Sequence, residues 1–260
     1  MERKMAQYDR QTVAGRVGTA AAIDEGLRSH MLRVYNYMGI GLVVTGLIAF
    51  FGNQMAVTTD ASAAAAQLAN GTLLTQWGVL LYTSPLMWVV ALSPLAFVLV
   101  LSFGINKLSF GAAQATFWGF AAMMGLSLSS IFMVYTDASI AKVFFITAAM
   151  FGSMSLYGYT TKRDLTGMGS FLMMGLIGII IAMVVNIFLQ SSALDFAISA
   201  IGVVIFVGLT AYDTQKIKEA YAENIGHEGL GKLAIMGALT LYLDFINLFL
   251  MLLRLFGNRE

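Results

Sequence analysis

Long apolar stretches recur along the chain between short polar breaks, and their length suits a membrane better than a soluble core. A spanning helix needs about 20 mostly apolar residues at a rise of 1.5 Å each. Seven runs meet that requirement: 31–52, 79–103, 110–134, 140–160, 168–190, 196–216 and 233–256. Rich in Leu, Met and Ala, they are expected to be α-helices, which satisfy their own backbone hydrogen bonds in hydrocarbon; barrel strands would be shorter. The pattern predicts an all-α integral membrane protein with seven transmembrane helices. Its expected divisions are a polar N-terminal tail, 1–30, a seven-helix domain, 31–256, and a short C-terminal tail, 257–260. No small-residue cleavage pattern follows the first run, so that run is expected to be an uncleaved span and not a signal peptide. The stretch 55–76, rich in Ala and without Lys or Arg, predicts a short interfacial helix or a low-complexity linker.

Composition agrees: 58% apolar and 11% charged residues, against roughly 45–50% and about 25% in soluble domains. Of the 15 Lys and Arg, three (Lys142, Arg254, Arg259) fall on one side of the alternating spans and the other twelve on the opposite side. By the positive-inside rule this predicts a cytoplasmic N-terminus and an external C-terminus in a cell membrane. A formal charge of +1, without a basic cluster interleaved with aromatics, gives no reason to expect nucleic acid as a partner. There is no cysteine, and both histidines, His30 and His227, lie outside the apolar runs, which removes thiolate and most metal or nucleophilic chemistry. No cofactor is expected. Pro85 and Pro94 both fall in the second run, the best place for a kink. No two glycines stand four apart, so close packing is expected from other small-residue spacings, such as Gly202 with Ser199 and Gly208.

Two carboxylates stand out. Charge near mid-bilayer costs at least ~2.5–3.5 kcal/mol, and yet Asp244 lies deep in the seventh run and Asp213 near the end of the sixth. The midpoint between them falls at Glu228 and Gly229, inside the turn-like segment Gly226-His227-Glu228-Gly229, so antiparallel helices would bring both to one depth. The seventh run carries Gly237, Thr240, Asp244, Asn247 and Met251 along one stripe, which places that helix inside the bundle. On the sixth, Ser199, Gly202, Phe206, Thr210 and Asp213 form the matching stripe. Thr210, Thr240 and Asn247 are the expected supporting polar contacts. The plainer alternative has each aspartate bonded separately to hydroxyls of neighbouring helices, and Asn247 serving as interhelical glue.

The segments Ala211-Tyr212-Asp213-Thr214-Gln215 and Leu241-Tyr242-Leu243-Asp244-Phe245-Ile246-Asn247-Leu248-Phe249 resemble the two C-terminal signatures of the Bax inhibitor-1 family, also called the transmembrane Bax inhibitor motif family. The run from Tyr157 to Leu165 is similar to that family's basic loop between the fourth and fifth helices. The resemblance implies a seven-helix fold with the last helix central, and a pH-sensitive calcium leak in which Asp213 and Asp244 are the sensor. In some members a basic residue at the end of the second helix engages the first aspartate. Here that stretch has no arginine, and Lys107 is the candidate replacement.

Two close carboxyls in a low dielectric cannot both ionise cheaply, so they should share a proton and titrate as one unit. Protonated, the pair would bridge the last two helices and close the cytoplasmic end. Deprotonated, it would loosen and offer oxygens to a weakly held, transient calcium ion, with Asp213 and Asp244 as ligands and calcium as the permeant species. No enzymatic activity is expected. An intramembrane aspartyl protease shares Tyr212-Asp213, but Leu241 and Leu243 stand where its glycines would be. The remaining alternative, which the resemblance implies through some bacterial members of that family, is a non-conducting modulator of a membrane-anchored AAA protease, with the polar N-terminal tail as the contact.

Overall fold

The computed structural model describes the backbone of residues 2–69, 71–222 and 225–259, and within those ranges the side chains from residue 25 onward. Helix α1 (Glu2–Ala56) is unbroken, so the expected tail 1–30 continues the first span as helix; the side chains of 1–24 lie outside the described residues. After it come α2 (Gln76–Tyr82), α3 (Leu86–Gly104), α4 (Phe110–Leu128), α5 (Asp137–Thr160), α6 (Thr166–Leu189), α7 (Ser192–Glu219) and α8 (His227–Phe256). Seven stretches are long and apolar enough to cross a membrane: Glu25–Ala56, Leu86–Gly104, Phe110–Met133, Asp137–Thr160, Thr166–Leu189, Ser192–Glu219 and His227–Phe256. The protein is an all-α integral membrane protein.

Helix ends follow local chemistry. Ser109, Thr136 and Ser191 cap α4, α5 and α7 by accepting the N–H of Ala112, Ser139 and Leu194. At the start of α6 the Asp164 carboxylate accepts the Thr166 N–H at 2.8 Å, which holds this exposed carboxyl below its ordinary range. The expected second span, 79–103, is divided by Pro85. Its missing N–H and its clash with the preceding residue end α2 at Tyr82, and α3 starts afresh at Leu86. Pro94 stays inside α3. The stretch 55–76 is neither interfacial helix nor featureless linker. It forms three short antiparallel strands, β1 (Val57–Thr58), β2 (Ala66–Gln67) and β3 (Leu73–Leu74), with β3 in the middle. Asp60 turns the chain by accepting the Ser62 N–H at 2.8 Å, and Gly71 takes the left-handed backbone at φ 91°. Thr75 then ties the sheet to the end of α1 through Met55 O, at 2.7 Å.

The core is built around α8. Of its most apolar stretch 72% is buried, against 39% for α7 and 11–28% for the other five spans. It packs on α7, α1, α5 and α4. Leu239, Leu241, Tyr242, Leu248 and Leu253 are buried on several faces, as a helix surrounded by protein requires. Small residues set the close approaches. Gly158 of α5 lies directly on the Ala211 carbonyl of α7, and Gly202 faces Met251 of α8. Gly208 faces Leu172 of α6, so Gly202 and Gly208 serve different neighbours and not one shared seam.

Candidate functional site

Asp244 is 6% exposed in the middle of α8. Asp213 is half-buried on α7, and its carboxyl lies within hydrogen-bonding reach of the Asp244 carboxyl. The helix pairing explains the meeting. Ile217 packs against Gly237 and Gly202 against Met251, and the midpoints of both pairs fall within a residue of His227. That register is close to the sequence expectation, but its turn is not where the sequence suggested. Gly226 is only the residue before the helix, and His227, Glu228 and Gly229 already belong to α8, where Glu228 pairs with Lys232 at 2.9 Å.

Among the described residues no N–H or O–H donates to the buried Asp244 Oδ2. A carboxylate oxygen without a donor in such a place is costly. A proton between two adjacent carboxyls would supply such a partner and remove one of two like charges. The expected helpers are turned elsewhere: Thr210 donates to Phe206 O at 2.7 Å, Thr240 to Met236 O at 3.1 Å and Asn247 to Leu243 O at 2.9 Å. Each bonds its own helix, and among the described residues Asn247 makes no hydrogen bond to another helix. Thr240 does line, with Asp213, Lys216, Ile217, Met236 and Gly237, a cavity of about 150 Å³ that reaches Asp213. The cation facing Asp213 is Lys216, one turn along α7, and not Lys107, which makes no ion pair among the described residues.

Two hydrogen-bonded threads beside the pair were not foreseen from the sequence. Tyr242 OH meets Thr45 Oγ1 at 2.6 Å, and Thr45 donates on to Ala121 O at 2.8 Å, which ties α8 to α1 and α4. In the second, Tyr35 OH, Ser155 Oγ and Thr214 Oγ1 follow at 2.6 and 2.9 Å and end on Thr210 O at 2.7 Å, joining α1, α5 and α7 next to Asp213. Since each hydroxyl has one proton, Tyr35 donates to Ser155 and Ser155 to Thr214. Buried Gln215 accepts the Leu165 N–H and donates to Arg163 O, both at 2.8 Å, anchoring the basic loop between α5 and α6. His30, expected outside the apolar segments, is buried within α1 against the Tyr221 ring. Its place on the inward face of a longer helix explains the difference. The signal for all these groups was a lone hydroxyl, amide or imidazole among apolar neighbours. Such residues are neutral and frequent in spans, so alone they carry little weight.

Fold and site define a polytopic helical membrane protein with an acidic pair enclosed by its last two spans. The chain matches the profile of the family described as inhibitor of apoptosis-promoting Bax1 over residues 27–260, and it belongs to that family. It is 48% identical over 243 residues to the inner membrane protein YbhL of Escherichia coli strain K12, covering 90% of this chain and 94% of YbhL. The uncharacterized protein RP147 of Rickettsia prowazekii is 48% identical over 238 residues, covering 91% and 92% of the two chains. For the uncharacterized protein YrjE of Lactococcus lactis the identity is 40% over 233 residues, covering 90% and 92%.

Proposed function

We propose that this chain is a pH-sensitive calcium leak of a bacterial inner membrane, gated by Asp213 and Asp244, and that it is not an enzyme. The observation that carries this reading is the meeting of the two carboxyls in the bundle, one of them buried with an oxygen that lacks a donor. With one shared proton the acids hold α7 to α8. When the proton leaves, two like charges repel across a low-dielectric contact and the helices loosen. The cavity beside Lys216 and Thr240 then becomes the approach to the pair, and freed carboxylate oxygens meet the cation. Two carboxylates, with no third acidic or histidine ligand grouped beside them among the described residues, suit a weak, partly hydrated ion in passage. Leu241, wholly buried beside Asp244, leaves no room for an extended peptide and weighs against proteolysis. The alternative of an adaptor for a membrane-anchored AAA protease relies on the N-terminal stretch.

Purified protein in liposomes containing a calcium dye should pass calcium faster than empty vesicles, without ATP, and faster as pH rises. Flux equal to that of empty vesicles at every pH overturns conduction. If a chain lacking residues 1–28 then fails to bind an AAA protease that the full chain binds, the adaptor reading takes its place.

A further inference from the structure

Between α1 and α5 the bundle parts. Arg28, Tyr35 and Gly39 on one side and Gly152, Ser155 and Tyr159 on the other help enclose a groove of about 600 Å³, within the roughly 300–1,000 Å³ typical of ligand sites. From these residues we infer that the groove is a binding site for an anionic phospholipid of the surrounding bilayer, one acyl chain lying along it and the headgroup held at Arg28.

The interior selects an apolar occupant. Its lining is nearly all hydrocarbon, and the two hydroxyls inside it, Tyr35 OH and Ser155 Oγ, are bonded to each other at 2.6 Å, with the Ser155 O–H donating to Thr214 Oγ1. They offer a polar guest no free donor. The walls stay open where side chains are missing: a Cβ at Gly39 or at Gly152 would meet nothing within 4 Å. Length also fits. From Arg28 to Gly39 the groove follows eleven residues of α1, about 16 Å of helix, close to half of a hydrocarbon core about 30 Å thick. An acyl chain of one leaflet spans that depth.

The mouth selects charge. Arg28 is exposed at the end of the bundle that carries most of the basic residues, and it has no ion-pair partner among the described residues. Lys218 adds a second cation: its ammonium donates to Tyr159 O at 2.9 Å and lies 5.9 Å from the centroid of the Tyr159 ring, which lines the groove. An apolar slot with cations at its headgroup end matches a lipid whose phosphate is not neutralised by a choline or an ethanolamine. Each basic residue at an anionic surface favours binding about fivefold. This site does not depend on whether the protein conducts calcium.

The test is native mass spectrometry of the purified full chain, in micelles holding equal amounts of phosphatidylglycerol and phosphatidylcholine. The wild type should retain phosphatidylglycerol at least about fivefold over phosphatidylcholine, Arg28→Gln should lower that preference about fivefold, and Gly152→Leu, which fills the slot, should lose both lipids. Gly178→Leu, on α6 with equally open space beside it, should behave as wild type. Gly39→Leu repeats the filling test from the opposite wall, should Gly152→Leu not fold. Equal retention of the two lipids by the wild type, or wild-type retention by a folded filled variant, overturns the site.

Discussion

Tyr242 and Asp244 stand two residues apart on α8 and so face nearly opposite sides of it, the first towards α1 and α4, the second towards α7. Position alone therefore separates a structural group from a chemical one. Removing the Tyr242 hydroxyl leaves Thr45 still donating to Ala121 O, so Tyr242→Phe should lower unfolding stability by only about 1 kcal/mol and leave the pH profile of calcium flux in place. A shifted profile would tie that thread to the gate. Asp244 was legible in the sequence because an ionised group amid apolar residues demands a reason. The resemblance points to a basic partner at the end of the second span, whereas helical periodicity brings Lys216 round to the cavity beside Asp213. Thr210, Thr240 and Asn247 share the stripe of the pair, and the stripe alone marks them as its contacts. A hydroxyl or amide on a helix also has the carbonyl one turn back within reach, and in lipid that nearest acceptor won.

Among the elements, α5 and α7 approach closely where Gly158 rests on the Ala211 carbonyl. Gly158→Ala would set a methyl into backbone that has no slack, and a loss of about 1–3 kcal/mol is expected in a thermal or denaturant unfolding measurement. Gly178→Ala, with nothing near it, should be neutral or stabilising by about 1 kcal/mol, because alanine favours the helix. Equal effects at the two positions would contradict the packing. The long apolar runs foretold the spans to within a few residues at most ends, since the cost of an unpaired backbone group in lipid leaves few other solutions. Polar connections were harder. The stretch 55–76 has helix-forming composition, but short turns at Asp60 and Gly71 fold it into strands. At 79–103 the hydropathy was continuous and only the proline rule marked the break that the structure has at Pro85.

For the molecule as a whole, seven spans put twelve of the Lys and Arg at one end and three at the other. The positive-inside rule then expects the N-terminus in the cytoplasm. Alkaline phosphatase fused after Glu260 should be active and after Arg163 inactive; the opposite pattern, or activity at both points, would reject that orientation. The tail beyond α8 is docked, with Thr136 N–H donating to Asn258 O at 3.1 Å and Asn258 N–H to Ser139 Oγ at 2.9 Å, both beside the start of α5. Asp244 sits on the helix that packs against α1, α4, α5 and α7, so a displacement of α8 would reach all four. The most direct test of the gate is calcium flux into liposomes against pH for the wild type, Asp213→Asn, Asp244→Asn and the double variant. Flux through the wild type should rise as the shared proton is lost with rising pH. On the proposed reading each single variant lacks the shared proton and should flatten the curve, and the double should add little to either, as two acids titrating as one unit would give. Two single variants that shift the curve independently, with a double equal to their sum, would contradict the pair.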